Sequence, residues 1–482
     1  MIHSDLLPRI ASYVDGKWTE GVSGKRIVVR NPATGDCLAE VPQLNVEEVE
    51  AAILAADRGY RKFPDLETRR KWVSDLRDAL LENKEELGRI ITLEHGKPLK
   101  EAVVEVEYSA GFFDYYARKI DILKPEVIEE TTRNCRWTIF RRPAGVVASI
   151  TPWNFPLAMF GKKLAPALAA GCGVVARPSK ETPLTAIAVY SLAERIGIPA
   201  GQMNLVIGSA SDIGRIFCTH PLVRVISCTS STQTGKVLLN QSADHVKKLA
   251  LELGGNAPFI VCEDADLEKA ADGLMVNKFR GAGQTCVCAN RVFVHRTVLG
   301  RFSELLKSRV EALQVGDGMD PNSDIGPLIN RTGFEKVAEH LSDALSKGAI
   351  KVCGCEPVPP KHDWGAFFPP TVISGVREGM RVFSEETFGP LVALCPFDTD
   401  DEAVDRGNDT EFGLAAYVFC GDHDRGLRII ERLQFGHVGL NTGTGPTPEA
   451  PFGGMKQSGF GREGGIDGLL EFTEAQTVPI PL

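Results

Sequence analysis

The sequence has no charge-free apolar run of about 18 residues, the length a membrane-crossing helix needs, so no such helix is expected. Its first residues, Met1-Ile2-His3-Ser4-Asp5, lack the basic stretch and apolar core of a secretory leader. Low-complexity tracts are missing, and nothing recurs with a period of about 20–50 residues, which argues against a repeat protein. An excess of positive charge is missing as well. Lys and Arg number 54 against 63 Asp and Glu, a net charge of −9. Nucleic acid or an anionic membrane would need a basic face, so neither is expected as a partner. An anionic substrate would have to be held by a local group of cations against the overall field. The twelve cysteines are scattered and do not frame a small fold, so reduced thiols and a cytoplasmic location are expected. Cys353-Gly354-Cys355 has no matching His or Cys pair for zinc, so it reads as a surface turn and no metal is expected.

What is present is a long chain of ordinary globular composition. With 482 residues it is too large for one core, so two or more domains are expected. Residues 13–40 read as short strands and turns. Asn45 with Glu48 is a helix-start pattern. A further helix follows Pro64, and another opens at Lys100-Glu101. From Gly145 the texture changes to apolar β runs alternating with helices. The β runs are Gly145–Ile150, Val174-Val175-Ala176, Leu205-Val206-Ile207 and Val223–Ser227. This alternation predicts a doubly wound parallel sheet. The pattern restarts after Leu251-Glu252-Leu253-Gly254-Gly255, with strands at Pro258–Val261, Val292–His295 and Leu391–Phe397. The fold class expected is therefore α/β: two doubly wound α/β domains, a Rossmann-like cofactor domain and a catalytic domain, plus a small β assembly element. The boundaries expected are 1–120 and 142–249 for the cofactor domain and 250–440 for the catalytic domain. Residues 121–141 and 465–482 fit neither sheet and read as an oligomerisation element.

One stretch stands apart, Phe279-Arg280-Gly281-Ala282-Gly283-Gln284-Thr285-Cys286-Val287-Cys288-Ala289-Asn290-Arg291. It sets two thiols two positions apart after a glycine-bearing run. A thiol is a ready nucleophile, and an unperturbed one titrates near ~8.5, leaving a few per cent as thiolate at neutral pH. Small residues let backbone amides approach a reacting atom.

Together with this stretch, four further motifs occur in order: Thr151-Pro152-Trp153-Asn154-Phe155-Pro156, Leu251–Gly255, Glu386-Thr387-Phe388-Gly389-Pro390 and Pro451-Phe452-Gly453-Gly454. The set resembles the aldehyde dehydrogenase superfamily over nearly the whole chain. Within it, Glu252–Ile260 and Gln284–Arg291 are similar to the succinate-semialdehyde dehydrogenase branch. The resemblance implies NAD(P)-dependent oxidation of a small anionic aldehyde, first among them succinate semialdehyde. A sulfonated or longer-chain semialdehyde is the alternative. Two other classes remain, a thiol-based esterase and a non-catalytic relative.

Oxidising an aldehyde through a thiol needs a nucleophile, donors for the oxyanion, a hydride acceptor and a base for hydrolysis. Cys286 fits the nucleophile, and Asn154 with the Cys286 backbone N–H fits the oxyanion donors. Glu252, between Leu251 and Leu253, fits the general base, with a carboxyl pKa raised by apolar surroundings. Cys288 is either a redox partner of Cys286 or a small buried side chain.

The resemblance also places the cofactor along Thr151, Pro152, Trp153 and Leu253, with Glu386 and Phe388 on the nicotinamide ribose. At the adenine ribose, Arg177-Pro178-Ser179-Lys180 stands where NAD-dependent members carry Lys first and Glu last. Arg177 and Lys180 would attract a 2′-phosphate that a glutamate repels, which points to NADP ahead of NAD. In the phosphate loop, Ser230 replaces a glycine, while Ser231 can still open a helix towards an anion. For the substrate, Arg280 matches an arginine that holds the distal carboxylate. A second arginine of the branch falls at Lys162, and a hydroxyl-bearing residue falls near Pro446, beside Thr447. A homo-oligomer, a dimer or a dimer of dimers, is implied.

Overall fold

Two twisted sheets covered by helices carry most of the chain in this computed structural model, which describes the backbone of residues 1–482 and the side chains of all but residues 129–132. The first sheet has five parallel strands at its centre, in the order Met203–Leu205, Gly173–Arg177, Val146–Ile150, Val223–Thr229 and Lys248–Glu252. Short antiparallel strands close its edges, Ser12–Val14 with Lys17–Thr19 on one side and Gly459–Phe460 on the other. Val146–Ile150 is buried along its whole length, as helices on both faces require. The chain enters the parallel part at this strand, winds outward through Met203–Leu205, and returns on its other side at Val223–Thr229. Thr151–Phe155 leave the sheet where the winding reverses, the place at which open α/β sheets bind ligands.

The second sheet runs Ile350–Cys353, Thr371–Ser374, Leu391–Phe397, Ala289–His295, Ala257–Val261, Ala415–Phe419 and His437–Leu440. All but the first of these strands are parallel to their neighbours. Only Leu253–Asn256 separate the last parallel strand of the first sheet from Ala257. A Cβ on Gly255 would lie 2.4 Å from the Cys286 carbonyl oxygen, so this link passes the thiol loop only because it has no side chain there.

Local signals were obeyed where chemistry forced them. Asn45 and Glu48 each accept the other's backbone N–H at 2.9 Å, closing the helix-start box. The helix expected at Lys100 runs from Leu99 to Lys119. Cys353 departs from its expected turn: it is buried and ends the strand Ile350–Cys353, and only Cys355 is exposed. The apolar–polar alternation of Ile350-Lys351-Val352 outweighs the turn signal of Gly354.

The two segments that fit neither sheet do pair. Cys135–Pro143 runs antiparallel to Thr473–Pro481, with Pro143 opposite Thr473 and Cys135 opposite Pro481. Glu126–Thr132 flanks them, making a separate three-stranded sheet. Among the described residues no helix is long and apolar enough to cross a membrane.

Candidate active site

The thiol loop begins where the helix Leu267–Phe279 stops. Gly281, Ala282 and Gly283 all take left-handed backbone angles, φ +57°, +57° and +73°. A Cβ on Gly283 would sit 2.4 Å from the Gly389 carbonyl oxygen, so glycine fits on both counts. The turn leaves Cys286 half-buried in a cavity of about 580 Å³ at the amino end of the strand Ala289–His295. Asn154 lines the same cavity. Its Nδ2 donates to the Gln284 carbonyl at 3.0 Å, and its Oδ1 has no partner. One amide N–H is thereby tied to the thiol loop, and the second stays available to a bound oxygen.

Glu252 ends its strand 4% exposed, with neither carboxylate oxygen hydrogen-bonded. Burial, with the charge of Glu463 behind it, holds the Glu252 carboxyl well above the usual carboxylate range, against the pull of Lys162, Lys163 and Arg462. Glu463 is displaced the other way: despite burial, Lys163 and Lys162 keep its carboxylate ionised. The Cys286 thiol is pushed up to about 12, chiefly by burial and further by Glu386, Glu252 and Glu463, while Lys162 opposes this. The resting thiol is therefore protonated at neutral pH, and the sequence-based expectation of an ordinary thiol is corrected.

At the other end of the cavity, Ser231 caps the helix Thr232–Gln241 by accepting the Thr234 N–H, and Ser230 lies beside it. Ser230 has no left-handed backbone angle, so its side chain costs no strain where a glycine was expected. Its N–H donates to the Glu252 carbonyl at 2.9 Å, which joins the Ser230–Ser231 turn to the end of the strand Lys248–Glu252. Pro152, Trp153, Leu253, Glu386 and Phe388 complete this wall. The rings of Trp153 and Phe388 meet edge to face at 5.6 Å, and Glu386 Oε1 accepts the Gly255 N–H at 3.0 Å. Thr151 is buried, and its N–H meets the Arg177 carbonyl at 3.2 Å.

Arg177 and Lys180 face different surroundings. The Arg177 guanidinium is largely enclosed near Cys228, its Nε lacks a partner, and burial lowers its pKa. The Lys180 side chain is 66% exposed, 3.7 Å from Glu181. Lys180 lines a neighbouring recess that shares Ile329, Asn330 and Thr332 with the main cavity. Ser179 is used internally, its Oγ accepting the Glu181 N–H.

On the substrate side, Arg280 makes no salt bridge among the described residues. Its guanidinium carbon lies 5.2 Å from the Phe155 ring centre, and its buried Nε has no partner. Lys162 is buried, with Nζ 3.8 Å from Glu463 and 4.8 Å from the Phe452 ring. Burial would lower its pKa, but Tyr108, Glu463, Cys286 and Glu252 more than offset this and hold it above the ordinary value. Its charge is thus felt by Cys286 and Glu252 as well as by Glu463. Thr447 is exposed and its hydroxyl bonds Glu449, away from the cavity wall; Gly445 is the part of that loop beside Arg280. Cys288 is buried, with Sγ against the Lys278 and Ala289 carbonyls.

The geometry also joins residues that sequence reasoning passed over. Lys163 and Glu463, both buried, form an ion pair across 300 positions. The lysine pair Lys162-Lys163 in the otherwise apolar helix Ala158–Ala170 was the local sign. Away from the cavity, Cys262, Asp264 and Cys420 cluster at the far end of the second sheet, where Arg425 already lies 3.4 Å from Asp264.

The aldehyde dehydrogenase family model matches residues 18–478. The chain belongs to the aldehyde dehydrogenase family. It is 46% identical to a 3-sulfolactaldehyde dehydrogenase of Pseudomonas putida over 97% of this chain and 96% of that one. It is 45% identical to an NADP(+) succinate-semialdehyde dehydrogenase of Escherichia coli over 98% of each. A solved oxidoreductase structure from Marinobacter aquaeolei superposes with a TM-score of 0.96 at 55% identity, covering 99% of this chain and all of that one. For this family member, the cavity suits a dinucleotide. The helix start at Ser231 opens onto it, the buried Thr229 Oγ1 beside that start lacks a partner, and Glu386 reaches the wall near Cys286.

Proposed function

We propose that the protein oxidises a small anionic aldehyde, succinate semialdehyde first, to its carboxylic acid, with NADP ahead of NAD as hydride acceptor. The observation that carries this reading is one cavity shared by the Cys286 thiol, the Asn154 amide and the helix start at Ser231.

The Cys286 thiol loses its proton to solvent in the open cavity, and its sulfur bonds the aldehyde carbon while the carbonyl electron pair moves to oxygen. Asn154 Nδ2 and the Cys286 backbone N–H hold that oxyanion; one such donor contributes ~10²–10³ in rate. A bound nicotinamide would supply the hydride acceptor, and loss of the hydride from the aldehyde carbon would leave a thioester on Cys286. Glu252, once deprotonated, takes a proton from water, the oxygen attacks the thioester, the C–S bond breaks and the acid leaves. Thr151, Pro152, Trp153, Leu253, Glu386 and Phe388 would line the bound dinucleotide, Ser230 and Ser231 would meet its phosphates, and Arg177, Ser179 and Lys180 its ribose end. Arg280 would hold the distal anion, and Lys162 would bias the thiol and Glu252 electrostatically.

A second reading, a sulfonated aldehyde, is favoured by the position of Lys162. With its ammonium drawn to Glu463, Arg280 remains the head-group cation, and its fork has no second arginine to share a planar carboxylate. The Pseudomonas putida relative is named for such a substrate. The reducing cytoplasm suits a reaction that needs a free thiol. The Cys135–Pro143 and Thr473–Pro481 pair serves as the assembly element of a dimer or dimer of dimers.

The test is a rate panel of ω-carboxy, ω-sulfo and neutral aldehydes with NADP and NAD, followed by reduced-nicotinamide absorbance. Anionic aldehydes should lead. Ester hydrolysis without any cofactor reduction would sink the dehydrogenase reading, and a preference for neutral aldehydes would remove the role of Arg280.

A further inference from the structure

The helix Leu99–Lys119 lies outside the cavity wall, yet its first turns reach both sides of the site. Glu101 Oε2 accepts the Gly281 N–H at 2.8 Å, in the turn that leads to Cys286. One turn on, Glu105 faces the other wall. Its Oε1 accepts the N–H groups of Leu157 and Ala158 at 2.9 and 3.1 Å. Those amides open the helix Ala158–Ala170, whose own cap residue, Leu157, has no side chain that can cap it. Glu105 thus caps that helix from a different helix, with a carboxylate at the positive end of its dipole.

The partner of Glu105 is Lys97, just ahead of the same helix. Lys97 Nζ lies 2.6 Å from Glu105 Oε2, and both side chains are 1% exposed. The same Nζ donates to the Asn154 carbonyl at 2.8 Å and lies 4.0 Å from the Phe155 ring centre. A buried ion pair recovers its desolvation cost poorly, so stability alone is a weak reason for it. Orientation accounts better for this placement. The pair grips the backbone of the segment from Asn154 to Ala158 at both ends, Ser109 Oγ donates to the Leu157 carbonyl between them at 3.1 Å, and Asn154 Nδ2 ties the segment to the thiol loop at Gln284.

We propose that Lys97 and Glu105 are positioning residues that aim the Asn154 carboxamide at the oxyanion. This rests on the oxyanion role given to Asn154 above. Neither residue touches the reacting atoms; both act by fixing the peptide that carries the amide. A displacement of about 1 Å at such a group lowers rate by ~10²-fold.

The test compares wild type, the neutral double variant Lys97→Met/Glu105→Gln, Asn154→Ala, and all three changes together. Two rates are read, kcat and KM for aldehyde oxidation and the cofactor-free hydrolysis of 4-nitrophenyl acetate, which needs the same oxyanion. The double variant should lower both rates about 10–100-fold with KM little changed. The same two changes should have no further effect once Asn154 is alanine. An equal loss in the alanine background, or no loss in wild type, would overturn the proposal alone. Unchanged rates in Asn154→Ala would overturn the oxyanion role and this proposal with it. Should the double variant fail to fold, Lys97→Arg keeps the charge, shifts the donor and carries both expectations.

Discussion

The two sheets meet the cavity with opposite strand ends. The first presents carboxyl ends: Thr151 follows Val146–Ile150, Arg177 ends its strand, Thr229 ends Val223–Thr229, and Glu252 ends Lys248–Glu252. The second presents amino ends, with Cys286 ahead of Ala289–His295, Glu386 and Phe388 ahead of Leu391–Phe397, and Gly255 ahead of Ala257–Val261. The four-residue link Leu253–Asn256 makes this unavoidable, because the chain leaves one sheet and enters the other within a single turn. Carboxyl ends feed helix starts, which suit phosphates and a strand-end base. Amino ends follow loops, and loops can hold left-handed residues such as Ala282 and Phe388, at φ +57° and +53°. In the proposed roles the base therefore stands on the first sheet and the nucleophile on the second, with binding residues on both.

Variants on the two sides should fail in different steps. Cys286→Ser removes the nucleophile from the second sheet and should lower kcat by on the order of 10⁴-fold, with no burst of reduced nicotinamide. Glu252→Gln, on the first sheet, should lower kcat about 10²–10⁴-fold and yet keep the burst, since hydride leaves before hydrolysis. Loss of the burst in Glu252→Gln would mean that both sheets serve the first step. The pH dependence carries the same contrast. Burial and Glu463 raise the Glu252 carboxyl above its ordinary value, and a base works only when deprotonated. Steady-state hydrolysis should thus increase with pH through that raised value and decline below it. A profile of kcat against pH that kept this slope in Glu252→Gln would assign it elsewhere.

Arg280 lets the second sheet be divided further. Its buried Nε has no partner, which fits the anion-binding role proposed for it, a different role from that of the thiol six positions on. Arg280→Met should raise KM for ω-carboxy or ω-sulfo aldehydes by about 10–100-fold, the ~1.5–3 kcal/mol of a hydrogen bond to a charged group. KM for a neutral aldehyde should stay within about twofold. An equal rise for both substrates would show that Arg280 shapes the Cys286 loop and does not hold the head group.

The legible parts of the sequence were those set by neighbours in the chain. Apolar runs such as Val146–Ile150 and the Asn45–Glu48 box report local physics, and they folded as read. Cys286, Asn154 and Glu252 stood out because each sits in a motif that resembles the family's, and the fold brings Cys286 and Asn154 to one cavity. Lys163 with Glu463, and Lys97 with Glu105, were not. Each is a charged residue whose partner is chosen by tertiary packing, and an isolated buried lysine looks like a surface lysine until the fold is known. Thr447, named because a hydroxyl of the resembling branch falls near Pro446, has its hydroxyl on Glu449. Ser230 stands where the resembling family carries a glycine, and whether that position needs a left-handed backbone angle was settled only by the fold, which has none there.

The smallest effect expected lies at the rim of the first sheet. Lys180 is mostly exposed and already shares its charge with Glu181 at 3.7 Å, so its attraction for a 2′-phosphate acts through water. Two unit charges about 4 Å apart in water gain only ~1 kcal/mol. Lys180→Glu reverses one of them and should shift the ratio of kcat/KM for NADP over NAD by about tenfold towards NAD, leaving kcat unchanged. Because salt screens exposed charges within about 10 Å at ~0.1 M, the shift should shrink as ionic strength rises. Arg177 is enclosed and would lose little of its effect to salt. A preference for NADP that survives both Lys180→Glu and high salt would therefore move cofactor choice from the exposed lysine to the buried arginine at the end of Gly173–Arg177.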